Sequence, residues 1–405
     1  MNEYTFTQIG DVVSDISPGA VPARIFHKGA IDGNNIVWES DDGNDSEIFL
    51  YNGSETIQLT DNDIADFEPA IFDNNVAWLR NDGNDWEVFL YDGSETIQLT
   101  DNDFDDSFPT ASGNNLIWSR SDGNDDELFL YNGSETIQIT DNDFDDSSLG
   151  ISGADPGNNV ALWSRNDGND LEIFLYDGSE TIQITDNDFD DFSPTVSGNN
   201  VAWWSRSDGN DSEIFLYDGS ETIQITDNDV NDFFPTVFGN KIVWESDDGN
   251  DREIFLYNGS EIIQLTDNDV DDFFPTASGN NVTWSSGDGN DSEILLYDGS
   301  NTIQLTDNNV GDFQSRILGD NLVWLQSGTE SEEPKSVLLA TLNNPDSNSN
   351  DNTVYRFFNN NTGVHFYTAD DIERDAVLEL DNFSFEGESY QAVDPLTGMP
   401  EPLPV

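Results

Sequence analysis

The stretch Asn81 to Arg120, NDGNDWEVFLYDGSETIQLTDNDFDDSFPTASGNNLIWSR, decides the fold, because close copies of it return about every 40 residues along the chain. Its tryptophan recurs at Trp38, Trp78, Trp118, Trp163, Trp204, Trp244, Trp284 and Trp324. The step is 40 residues in most cases, 41 from Trp163 to Trp204, and 45 from Trp118 to Trp163, where Ser148 to Gly157 adds residues. A period in this range marks an array of stacked supersecondary units that share one core.

Within a unit, short apolar runs are bounded by turn residues, which is the pattern of strands. The third unit reads as strand a near Pro109 to Ser112, strand b over Asn115 to Arg120, strand c over Glu127 to Tyr131 and strand d over Thr136 to Thr140. The connections Ser-Gly-Asn, Asp-Gly-Asn-Asp and Asn-Gly-Ser-Glu are hairpin turns, since Gly and Asn tolerate positive φ. Strand c is apolar on both faces, as a sheet sandwiched between neighbouring sheets requires. The expected fold is therefore an all-β propeller, in which every blade is covered on both sides.

Counting sets the blade number. The Asn-rich turn before strand b occurs eight times, but the complete pair of strands c and d occurs only seven times. In the last unit Ser336 to Leu342 (SVLLATL) serves as strand c. The missing strand d is expected at the other end of the chain, where Tyr4 to Ile9 (YTFTQI) resembles Glu55 to Thr60 (ETIQLT). An eight-bladed ring over residues 1–345 follows, closed by the N-terminal strand, with a seven-bladed ring as the alternative if the last unit is a cap.

Composition narrows the function. The chain of 405 residues has 83 acidic and 12 basic residues, a net charge of −71, and no cysteine. Such a field repels nucleic acids and anionic membrane surfaces, which are bound through Lys and Arg. Disulfides, thiolate metal sites and a cysteine nucleophile drop out. The N-terminus, MNEYTFTQIGDVVSD, is not a secretory signal peptide, and no run has the length of a membrane-spanning helix. The expectation is an extracellular or cell-surface protein that leaves by another route, with the cytoplasm as the alternative.

Topology sorts the charge. The b to c turn (Asp122, Gly123, Asn124, Asp125) and the d to a connection (Asp141 to Asp146) share one rim of the disk, while the a to b and c to d turns share the other. The d to a loops carry carboxylates at alternate positions, and such carboxylates can converge on Ca2+, which takes six to eight oxygens. The candidate ligands are Asp101, Asp103, Asp105 and Asp106; Asp141, Asp143, Asp145 and Asp146; Asp186, Asp188, Asp190 and Asp191; and Asp267, Asp269, Asp271 and Asp272. Three other copies are decayed: Asp61, Asp63 and Asp66 have shifted spacing, Asn231 replaces a carboxylate beside Asp227 and Asp229, and Asn309 and Gly311 leave little. Solvated turns account for the same residues, since Asp and Asn bond nearby amides. Gly83, Asn84 and Asp85 resemble part of the nonapeptide calcium repeats of β-rolls, but at this period they read as a hairpin turn.

The repeated tryptophans, mid-strand beside Val, Ile or Leu, read as core. Trp86 and Trp203 stand outside the repeat. Trp86, placed in a b to c turn of the acidic rim, is the candidate ligand contact.

The units resemble the TolB-type and related WD40-like propellers of six to eight blades. Trp118, Asp122, Gly123, Leu128 to Tyr131 and Ile139 to Asn142 carry the resemblance, which covers most of residues 1–345. The departure is a Ser-Gly-Asn-Asn turn where those repeats have Ser-Pro-Asp-Gly. The resemblance implies a binding or scaffolding disk. Prolyl oligopeptidase relatives use such disks to gate a hydrolase, but no Gly-x-Ser-x-Gly elbow is present to gate.

A polar linker at 346–353, within Asn343 to Asn352 (NNPDSNSNDN), separates the array from a segment at 354–405. There Val354 to Thr368 reads as a hairpin, Ala369 to Leu380 as a short helix and Glu388 to Val393 as a strand, making a small α+β segment. Tyr355, Arg356, Phe357, Thr362, Gly363, His365, Phe366, Tyr367 and Thr368 resemble the YRF…TGxHFYT repeat of bacterial secreted proteins, a domain of undefined activity.

The two histidines, His27 and His365, lie in different segments and make no zinc site. With 83 acidic residues, carboxylate pairs are uninformative about glycoside hydrolysis. The expected function is a non-catalytic, monomeric binding propeller whose acidic face takes up Ca2+ and engages a basic protein or a glycan. The alternative is an accessory module or remnant of a secreted hydrolase.

Overall fold

The computed structural model describes residues 3–343 apart from 12–30, 73, 113–114, 122, 151–160, 167, 207–210, 248, 288–290 and 329–330. Beyond these it describes 353–359, 365–368 and 383–391. Two compact units result, one of Phe6–Ala340 and one of Met1–Thr5 with Thr341–Val405.

Eight four-stranded antiparallel sheets follow one another as an eight-bladed propeller. Seven blades are consecutive in sequence. The eighth takes strand a from Asp312–Leu318, strand b from Asn321–Gly328, strand c from Ser331–Asn343, and its fourth strand from Glu3–Asp11 at the start of the chain. The ring is thus closed by the N-terminal strand, and the seven-bladed alternative falls. Ile9 packs with Val323, Leu325, Val337 and Leu339 of the eighth blade and with Ile36 and Trp38 of the first. A Cβ at Gly10 would overlap the Trp38 ring, so glycine permits this close approach.

The third blade shows how the residues make the unit. Its strands are Asp106–Ser112, Asn115–Ser121, Asp126–Tyr131 and Thr136–Gln138. The core lies between blades. Trp118 packs against Val88 and Leu90 of the preceding blade, while Leu128 and Leu130 face Ala161 and Trp163 of the next. Strand c feeds both interfaces, which is why it is apolar on both sides. Trp118 also stacks on Phe129, opposite it in register, with centroids 6.0 Å apart.

Strand a carries a bulge in which Phe108 and Pro109 oppose the single residue Trp118. Phe108 has φ 53, and Glu68, Ser193, Phe234, Phe274 and Gln314 hold the same left-handed conformation in their blades. Such a bulge re-aims the strand.

One expectation is corrected. Trp203, not Trp204, is the repeated tryptophan of the fifth blade: it is 2% exposed, pairs with Phe215 in register and stacks on it at 5.8 Å. The extra residue follows it in strand b. Trp204, the unrepeated one, is half-buried and stacks on Phe192 at 4.3 Å.

The C-terminal strands form a three-stranded antiparallel sheet, with Thr353–Asn359 central between His365–Thr368 and Phe383–Gln391. The expected hairpin is present. The last strand begins before the predicted Glu388 and is longer, while the predicted helix and residues 346–352 of the expected linker lie outside the described residues. Among the described residues no helix is long and apolar enough to cross a membrane.

Candidate functional site on the acidic rim

The b to c turn and the d to a loop meet on one rim and are joined by hydrogen bonds. In the second blade the backbone N–H of Trp86, the first residue of strand c (Trp86–Tyr91), donates to Asp105 Oδ1 at 2.9 Å. Asp145, Asp190 and Asp271 accept the equivalent bond from Asp126, Leu171 and Arg252, and Asn231 accepts it from Ser212. Trp86 therefore starts a strand instead of lying in the turn. It is half-buried, edge-on to Phe67 at 5.7 Å.

Each d to a loop folds around its asparagine. Asn102 Oδ1 accepts from the Phe104 N–H, its own N–H donates to Glu87 Oε1 at 2.6 Å, and its Nδ2 donates to Glu87 Oε2 and to Asp106 Oδ2. Thr100 Oγ1 accepts the Val88 N–H. The same arrangement recurs at Asn62 with Glu47 and Asp66, and at Asn142 with Glu127 and Asp146.

The last aspartate of the loop is an internal anchor. Asp106 is 1% exposed and receives Arg120 Nε at 2.8 Å, and Arg120 also lies over the Phe129 ring. Asp66 pairs likewise with Arg80, and Asp146 with both Arg165 and the Trp163 indole N–H. In later blades the tryptophan alone or a neutral side chain takes over: Trp203 donates to Asp191, Trp244 to Asp232, Trp284 to Asp272, and Trp324 with Gln326 to Asp312. The loops that look decayed in sequence keep this anchor at Asp66, Asp232 and Asp312.

The candidate ligands thus separate. Asp106, Asp146, Asp191 and Asp272 are buried within the blade. Asp101, Asp103, Asp105, Asp141, Asp143, Asp145, Asp186, Asp188, Asp190, Asp267, Asp269 and Asp271 are exposed on the rim. Asp103 and Asp105 line an open cavity of about 390 Å³ together with Asn84, Asp85, Phe104 and Ser121.

The sequence pattern assigns Asp85 to a hairpin turn and does not single out Glu87, yet Asp85 lines this cavity and Glu87 lies close by. Asp85 is 7% exposed and Glu87 is fully buried. One oxygen of each, with one of Asp82, lie within 4.8 Å of one another. Burial pushes Asp85 up from the usual carboxylate range, and the charges of Asp82, Asp105, Asp103 and Asp106 push it further. Burial raises Glu87 to about 7, against hydrogen bonds from Thr100 and Asn102. Glu47 is likewise raised to about 7 and Glu172 to about 6, while Glu127, Glu213, Glu253 and Glu293 are raised by the same burial. The available signal was a charged residue repeated at the head of a strand otherwise apolar on both faces.

Comparison with known proteins adds the following. Residues 327–402 match a domain of unknown function, DUF5648. This stretch takes in the last strand c of the propeller as well as Tyr355 to Thr368. No curated protein matches the chain. Among solved structures, the computationally designed Ika8 protein is similar over 82% of this chain and 98% of its own, with 15% identity and a TM-score of 0.54, which supports the propeller fold. The β-propeller domain of the Trilobed protease from Pyrococcus furiosus, of open velcro topology, matches at 12% identity and TM-score 0.49, over 71% of this chain and 99% of that one. A prolyl endopeptidase matches at 10% identity and TM-score 0.49, over 75% of this chain and 54% of its own, so this chain spans about half its length.

Proposed function

We propose that the protein is a non-catalytic binding or scaffolding propeller whose acidic rim takes up Ca2+ and, through it, engages a basic protein or a glycan. The observation that carries this reading is the collection of buried, upshifted glutamates and exposed aspartates on one rim. Carboxylates held together against both burial and mutual repulsion are relieved by a hard cation, and oxygen-only ligation suits calcium. An extracellular setting fits, because extracellular calcium modules work with Kd of about 0.1–1 mM.

The test is a thermal melt of the full chain with millimolar Ca2+, against Mg2+ at equal ionic strength. A rise in Tm selective for Ca2+ is expected, since a ligand that binds only the folded state stabilises it. An equal response to both cations would reduce the rim to general charge screening. Clearing of protein, lipid or polysaccharide substrate in zymography would replace the reading with that of a hydrolase module.

A further inference from the structure

The d to a loops do not hold the cation by themselves; resting on the calcium reading above, we infer that the site lies one turn away, at Asp82, Asp85 and Glu87 of the second blade. Asp85 Oδ1 is buried and has no hydrogen-bond partner. A buried carboxylate oxygen left without a donor is costly, and it is a natural ligand for an ion. It borders the cavity that Asp103 and Asp105 also line.

The geometry fits the ion. Oxygens of Asp82, Asp85 and Glu87 lie within 4.8 Å of one another, and two ligands on opposite sides of a calcium are separated by about twice the 2.3–2.6 Å bond length. Glu87 is held in place because both its oxygens accept from Asn102. Asp82 is positioned by accepting the Asn84 N–H at 3.0 Å. Asp103 and Asp105 supply further negative charge from across the cavity, and the remaining coordination is left to carbonyls and water.

Seated there, the ion offsets the repulsion between the b to c turn and the Asp103 and Asp105 carboxylates across the open cavity, and leaves an outward face for a partner's oxygen. The hexapeptide Asp-Gly-Asn-Asp-x-Glu opens the b to c connection of all seven sequence-consecutive blades, including those whose d to a loops look decayed. Among the described residues, the second blade brings its three carboxylates within 4.8 Å of one another.

The test counts Ca2+ bound to the full chain by equilibrium dialysis, for the wild type, Asp85→Asn, Asp82→Asn and, on the opposite rim, Asp92→Asn. Asp82→Asn is exposed and keeps the acceptor for Asn84, so it guards against a folding defect in Asp85→Asn. Each of the first two is expected to lose one equivalent, and Asp92→Asn none. Terbium, an oxygen-seeking substitute for calcium, is read in parallel: Trp86→Phe should lower the tryptophan-sensitised emission and leave the Ca2+ count unchanged. Unchanged stoichiometry in both Asp85→Asn and Asp82→Asn, with calcium still bound elsewhere, overturns this site and spares the calcium reading. A wild-type chain that binds no calcium overturns both.

Discussion

The two rims of the disk use the same acidic residues to opposite effect. On the c to d rim, Asp92 Oδ1 gathers the Ser94 N–H, the Ser94 hydroxyl and the Glu95 N–H at 2.7–2.9 Å, and these donors hold its carboxyl below the usual range. Asp177 and Asp218 repeat the pattern with the same result. On the b to c rim, Asp85 and Glu87 are raised by burial. The local turn satisfies the charge at one rim, while at the other it is crowded with like charge and kept from water. Acidity on the first rim is structural, and on the second it stores repulsion that a proton or a cation relieves.

The largest test of this contrast removes one of the cationic side chains that the acidic rim already holds. Arg120→Met should destabilise the fold by about 3–5 kcal/mol, because it strands the buried Asp106 charge. Adding Asp106→Asn should recover much of that loss in denaturant unfolding, since the stranded charge is gone. If Arg120→Met is neutral, Asp106 does not depend on its partner and the rim is less strained than its burial implies.

A smaller effect comes from pH. Glu47 and Glu87 titrate near 7 in the folded protein, against 4.5 for the ordinary side chain. The folded state therefore binds more protons than the unfolded chain between those values. Their contribution to stability is complete below about 4.5 and is lost as pH rises through about 7. The net charge of −71 acts in the same direction. In calcium-free buffer, Tm should climb as pH falls from 8 towards 5, and a Tm that falls over this range would contradict the buried-glutamate account.

The smallest effect belongs to the other rim. Asp92→Asn should leave Tm unchanged, because Asn52, Asn132 and Asn258 occupy the same position in other blades and accept the same bonds. Asp92→Ala should lower Tm slightly by removing the acceptor. An Asn variant as harmful as the Ala variant would mean that the charge itself matters there.

Most of the architecture was legible in the residues. The strands of the third blade lie within a few residues of their expected bounds, and the borrowed N-terminal strand was visible as YTFTQI. The assignment of Trp204 went wrong because one inserted residue in strand b shifts the count by one, and only register against Phe215 shows on which side of the tryptophan it falls. The acidic loops were readable as a rim but not as ligands. Spacing alone could not reveal that Asp106 faces inward to Arg120, that Asp105 caps the start of strand c, or that Asp85 Oδ1 is left without a donor.

The sequence by itself determined the blade, the ring and the sorting of charge between rims, because turn residues, strand alternation and repeat length are local properties that recur with each unit. Only the tertiary structure decided which carboxylates are anchored, which are exposed and which are buried without relief. Those distinctions depend on groups 15 to 19 residues apart, such as the Glu87 carboxylate with Asn102 and the Trp86 N–H with Asp105, meeting where the b to c turn is folded against the d to a loop.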